Sequence, residues 1–268
     1  MRGVSAEGMA ASVERVESLA EEGDAAQLGD ELFAVAGVLR AQPSLRRAMT
    51  DPSAGSEAKS GLARSVFDNR LSADTVEATA TAAAARWSST SDFVAAVEHL
   101  GVLALIIGAE KDRHLSELED ELFRFGRVVA ANPELRDAVT NKQVPAQHRQ
   151  SLVQGLLDGK ASPTAGRLAV QAVASGHRSF EAALAAYQQV AADRQHRLVA
   201  IVRSAVALDD EERDRLTAAL SRHYGSDVHL NVVVDPEVIG GVRVALGDDV
   251  IDGTVAARLD DARRRMTG

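Results

Sequence analysis

The nearest approach to a nucleotide-binding motif in this sequence is the string Gln154-Gly155-Leu156-Leu157-Asp158-Gly159-Lys160-Ala161. A phosphate loop needs Gly, four residues, then Gly-Lys and Ser or Thr, because backbone amides must wrap the phosphates and the hydroxyl must hold magnesium. Gln154 stands where the first Gly belongs and Ala161 where the hydroxyl belongs, so both requirements fail. Gly240, Gly241 and Gly247 lack the dinucleotide spacing, and a β-hairpin explains them more simply.

Hydrolytic and metal chemistry fare no better. None of the seven His forms a helical i, i+4 pair with a nearby carboxylate, and neither HExxH nor G-x-S-x-G occurs. The acidic pairs Asp209–Asp210, Glu211–Glu212 and Asp248–Asp249 fall at a helix start and in a turn, where acids are ordinary. Arg263, Arg264 and Arg265 lie in the last turn of an expected terminal helix and complement its dipole. With no Cys, thiolate zinc sites, Fe–S clusters and disulfides are excluded. No catalytic, cofactor or metal residues are assigned.

The elements around these strings carry more information, because the chain repeats itself. Residues 28–50 and 118–140 align without a gap at an offset of 90, and over residues 28–62 there are 13 identities in 35 pairs. Leu28, Leu32, Val35 and Leu39 recur as Leu118, Leu122, Phe125 and Val129, at a spacing that makes one stripe on a helix. Each helix is expected to stop before a proline, Pro43 or Pro133, that opens the next one, with Asn132 as N-cap in the second copy. Residues 9–22 match 99–112, and 74–86 match 164–176. A last helix from Ser179 to about His196 places Phe180, Leu184, Tyr187 and Ala191 on one face, with a slipped counterpart near Asp92 to Leu100.

After His196 the period changes from 3.6 to 2. RLVAIVRSAVAL reads as a strand, and the next helix is capped by Asp209 with Glu212 and stopped by Gly225. Val228 to Val234 reads as a strand, Asp235 to Gly241 as a turn, and VRVAL and VIDG as a hairpin before a closing helix that starts at Thr254. The expected fold is mainly α. Two tandem six-helix-type bundles, 1–98 and 99–196, precede a small α/β domain, 197–268.

Composition agrees with this layout. An aromatic fraction of 3% within 46% hydrophobic residues suits close helix packing, and 268 residues exceed one ordinary core. A net charge of −9 argues against nucleic acid. The opening MRGVSAEGMAASVERVE is too polar for a signal peptide, and the apolar run Leu100 to Ala109 is about half the roughly 20 residues needed to cross a bilayer, so no direct membrane insertion is expected. By physics alone the chain is a soluble interaction scaffold.

The C-terminal string VDPEVIGGVRVALGDDVIDGTVAARLDDARRRM resembles the signature of the delta subunit of bacterial F-type ATP synthases, the counterpart of the mitochondrial oligomycin-sensitivity-conferring protein. Asp235, Gly240, Gly241, Gly247, Asp252, Gly253 and Arg258 carry the match, whereas Ala256 and Ala257 replace a common Arg-Gly. Residues 99–196 resemble the family's N-terminal six-helix bundle. Residues 9–98 resemble an extra copy, as in the long actinobacterial forms. The resemblance implies a non-catalytic stator subunit of the peripheral stalk, at the cytoplasmic face of the plasma membrane. Its bundle would hold the N-terminal helices of alpha subunits and its last domain the C-terminal ends of b subunits, with no nucleotide bound. Val102, Leu105 and Ile106, on the first helix of the second bundle, are candidate groove residues, with filling of the bundle core as the competing and slightly favoured reading. The alternative is a helical adaptor of another complex.

Overall fold

The structure is a computed structural model, and it describes residues 3–195, 198–225, 228–235, 238, 240–246 and 249–253. The chain divides into two compact units, Met1–Ala192 and Asp193–Gly268.

The first unit is helical. It runs α1 (Val4–Glu22), α2 (Ala25–Ala41), α3 (Pro43–Met49), α4 (Ser56–Phe67), α5 (Ala73–Ala84), α6 (Thr90–Lys111), α7 (Leu115–Ala131), α8 (Pro133–Thr140), α9 (Ala146–Leu157), α10 (Pro163–Ala174) and α11 (Phe180–Gln195). The repeated stripes form the cores: Leu28, Leu32, Val35 and Leu39 are buried in one cluster, and Leu118, Leu122, Phe125 and Val129 in another. Pro43 and Pro133 occupy first turns of α3 and α8, and Asn132 Oδ1 accepts from the Leu135 amide at 3.1 Å.

The duplication extends to polar detail. Ser72 caps α5 and Ser162 caps α10, each accepting from the amide three residues on. A glutamate from the second helix of each copy holds that serine. Glu31 accepts from the Ser72 amide and hydroxyl at 2.8 and 2.7 Å, and Glu121 from those of Ser162 at 2.9 and 2.5 Å.

At the seam between the copies the structure departs from expectation. The slipped counterpart near Asp92 to Leu100 and the helix at 99–112 are one continuous 22-residue helix, α6, and the boundary read at residue 98 falls inside it. Phe93, Val97, Leu100, Leu103, Ala104 and Ile107 pack in the first core, while Val102, Leu105, Ile106 and Ala109 pack in the second. By length and composition α6 could cross a membrane, yet 78% of its most apolar stretch is buried inside this unit. The 10-residue apolar run understated the helix: its first turns serve the first core alone, and from Leu100 on its opposite faces serve both cores.

The second unit holds β1 (Leu198–Ser204), α12 (Asp210–Tyr224), β2 (Val228–Val234), β3 (Val242–Leu246) and β4 (Asp249–Asp252) in one sheet of order β2-β1-β3-β4. β1 pairs in parallel with β2 and antiparallel with β3, and β4 pairs antiparallel with β3. Ala200, Val202, Leu230, Val244 and Leu246 fill the core with Leu220 of α12. The capping box of Asp209 and Glu212 is present, and Gly225 ends α12 in the left-handed region at φ 68°. The expected closing helix at 254–268 lies outside the described residues.

Gly240 and Gly241 are not hairpin glycines. β1 lies between β2 and β3, so the chain must pass its end. Both glycines have positive φ there, 64° and 78°, a conformation L side chains rarely adopt. The Asp235 amide donates to the Ser204 carbonyl at 2.8 Å and fixes the crossing to the end of β1.

Candidate partner-binding sites

Val102, Leu105 and Ile106 are 1%, 1% and 0% exposed, all three in the second core. At Leu105 the face of α6 is covered by α2 of the first copy. An added Cβ on Gly29 would lie 2.6 Å from Leu105 Cγ, and one on Gly101 would lie 2.7 Å from Phe33 Cδ1, so the two glycines permit a close helix crossing. Asp30 of α2 meets Arg167 of α10 at 3.0 Å beside this crossing. Burial raises the Asp30 carboxyl above its ordinary pKa, with Arg167 opposing the shift. A partner helix would reach Leu105 only by displacing α2.

The strongest polar cluster of this unit surrounds Glu98 on α6. Its carboxylate is buried and accepts from Arg40 of α2, from Gln171 Nε2 of α10 at 3.3 Å, from the Gly176 amide at 3.1 Å and from the Tyr187 hydroxyl of α11 at 3.0 Å. Arg40 also donates to the Ala174 carbonyl at 3.1 Å. Burial pushes the Tyr187 hydroxyl far above the usual tyrosine range, and the Glu98 charge adds to this, so Tyr187 stays a donor. A cavity of about 470 Å³ adjoins the cluster, with His99, His177 and Val190 in its wall. Sequence reasoning missed Glu98 and Arg40. The available signal was that Glu98 and His99 are the only polar side chains between Phe93 and Ile107.

The failed phosphate loop is a helix stop. α9 ends at Leu157 and Gly159 takes φ 65°, as a C-terminal glycine does, so the string sits at the end of a helix dipole that repels phosphate. Among the described residues no three His, Asp or Glu side chains gather as metal ligands would.

The signature residues that are described have structural places. Arg203 Nη1 of β1 lies 3.9 Å from Asp235, and Asp252 of β4 sits opposite Arg243 of β3. The Gly253 amide donates to the Val242 carbonyl at 3.0 Å, where a Cβ would come within 3.1 Å of that oxygen. Gly247 and Arg258 lie outside the described residues.

Large apolar side chains remain exposed in both units. Phe123 (55%) and Val128 (56%) lie on α7 and Leu152 on α9, while Ile201, Val233 and Val250 line the sheet. These exposed apolar groups lie on a fold that is helical first and α/β last.

The family model described as "ATP synthase delta (OSCP) subunit" matches residues 102–266. The chain is 44% identical to the "ATP synthase subunit delta" of Streptomyces coelicolor, over 99% of this chain and 98% of that protein. The protein of the same name from Streptomyces avermitilis is 45% identical over 98% of each chain, and that of a Nocardioides species 46% identical over 100% and 98%. This chain belongs to the ATP synthase delta (OSCP) subunit family. Alignments of that extent take in the first copy of the repeat.

Proposed function

We propose that this chain is a non-catalytic stator subunit of a proton-translocating ATP synthase. It links alpha subunits of the catalytic head to membrane-anchored b subunits and resists rotation of the head during ATP synthesis. The observation that carries the reading is the family match, which spans most of the second copy and the α/β unit as far as residue 266. As a family member the chain is a structural subunit of a membrane-associated complex and binds its other subunits. The complex places it at the cytoplasmic face of the membrane.

In this reading the chain has three modules, 1–98, 99–196 and 197–268, with α6 shared by the first two. The second copy holds an amphipathic alpha helix, for which Phe123 and Val128 of α7 offer exposed apolar contacts. Val102, Leu105 and Ile106 fill the core of the same copy. The α/β unit holds the b ends, and the signature residues Asp235, Gly240, Gly241, Asp252 and Gly253 keep its crossing and hairpin in shape.

Calorimetry of the full chain with peptides from the alpha N-terminus and the b C-terminus tests this. Binding of both is expected, with the alpha peptide weakened by Phe123→Glu. Failure of the folded chain to bind either peptide would sink the proposal. Co-purification from native membranes separates it from an adaptor of another complex, since only a stator subunit brings down alpha and beta.

A further inference from the structure

Among the equivalent positions at which the two copies differ are Lys59 on α4 and Arg149 on α9. Arg149 bridges its copy: Nε donates to the Val144 carbonyl at 3.2 Å, and Nη1 to those of Val139 and Val173 at 3.0 and 3.4 Å. Lys59 is 4% exposed and donates to one carbonyl, that of Ala85 at 2.6 Å. An ammonium has three N–H donors, so the bond that caps the end of α5 leaves two unused.

Beside Lys59 the first copy has a cavity of about 530 Å³. Its wall includes Ala54, the counterpart of Val144, with Lys59, Arg86, Trp87, Pro52 and Ser56. Arg86 is exposed and has no carboxylate partner among the described residues. Ser56 begins α4, whose start has no side-chain cap and so presents unpaired amides. Two cations and an open helix start meet apolar walls in a space of the size that takes small ligands.

We propose that this cavity binds a small organic anion, a carboxylate or phosphate group on an apolar or aromatic body. The oxyanion sits at Lys59 and Arg86, and the body lies against Trp87 and Pro52. Burial lowers the Lys59 pKa, and the charge of Arg86 adds to this while Asp51 opposes it; a bound anion relieves that cost.

Trp87 is the only Trp in the chain, so its emission reports on this site. Titration of the full chain with phenyl phosphate and with benzoate separates the two anion types, with benzyl alcohol as the uncharged control. A saturable change with at least one anion is expected. Lys59→Arg, which copies the second bundle, and Arg86→Ala, at an exposed position, should each weaken it by about tenfold. No saturable change in the wild-type chain, an equal response to benzyl alcohol, or binding that survives both substitutions would overturn the proposal.

Discussion

Arg40 and Glu98 form a buried ion pair across the seam between two copies of one repeat, and Gln171, Gly176 and Tyr187 of the second copy donate to the same carboxylate. Ala130 occupies the position equivalent to Arg40 in the second copy, so the pair belongs to the junction and not to the repeat. A stator must transmit torque without hinging at its joints. Four donors from four segments on one shared carboxylate serve that end.

Loss of this pair should be costly. Removing one partner of a buried ion pair costs about 3–5 kcal/mol. Arg40 keeps 27% of its side chain exposed, which places Arg40→Met at the lower end. The double substitution Arg40→Met, Glu98→Leu should cost less than the sum of the single ones, because no unpaired charge remains. Urea unfolding of the parent chain and the three variants measures this coupling.

Two glycines of α2 should respond with opposite sign to the same change. Gly29→Ala places a Cβ 3.0 Å from the Gly101 carbonyl and 2.6 Å from Leu105, and overpacking of this kind costs about 1–3 kcal/mol. Gly37 is exposed on the same helix with nothing within 4 Å of an added Cβ, so Gly37→Ala should stabilise by about 0.5–1 kcal/mol. Thermal unfolding of the two variants decides between them.

The serine caps should behave as a matched pair. Ser72→Ala and Ser162→Ala each remove an N-cap and should cost about 1 kcal/mol by denaturant unfolding. Both serines are also held by a glutamate, so the loss should be similar in the two copies.

Acid should weaken the first copy through Glu31 and Asp92. Burial acts to raise the Glu31 pKa, but hydrogen bonds from Ser72, Thr75 and Gln27 outweigh it and hold the carboxyl below its ordinary value. Hydrogen bonds from Ser5 and Ser89 lower Asp92 likewise. Because folding lowers these pKa values, their stabilisation is complete above the unfolded values, about pH 4.3 and 3.9, and is lost as pH falls through the folded ones. Urea midpoints measured from neutral pH into this acid range should decline less in Glu31→Gln than in the parent chain.

Much of this fold was legible because it is written in stripes. Leu28, Leu32, Val35 and Leu39 need only a period of 3.6 to be read, and Pro43, Pro133, Asn132, Asp209 and Gly225 act through local backbone chemistry. The shared helix was not legible in the same way. The repeat predicts one helix ending and another beginning near residue 99, and only packing shows that a single helix can serve two cores. The groove residues were not legible either: Val102, Leu105 and Ile106 are apolar at helical spacing whether they face a partner or fill the bundle core. Glu98 shows no chemistry in sequence until Arg40, 58 residues away, is folded against it.

The stator assignment is tested most directly by proton-driven ATP synthesis in inverted membrane vesicles stripped of this chain and then given it back. The assignment predicts that stripped vesicles lose synthesis while the catalytic head still hydrolyses ATP, and that the full chain restores synthesis. Synthesis that persists without the chain, or that fails to return when the folded chain is added, would contradict it.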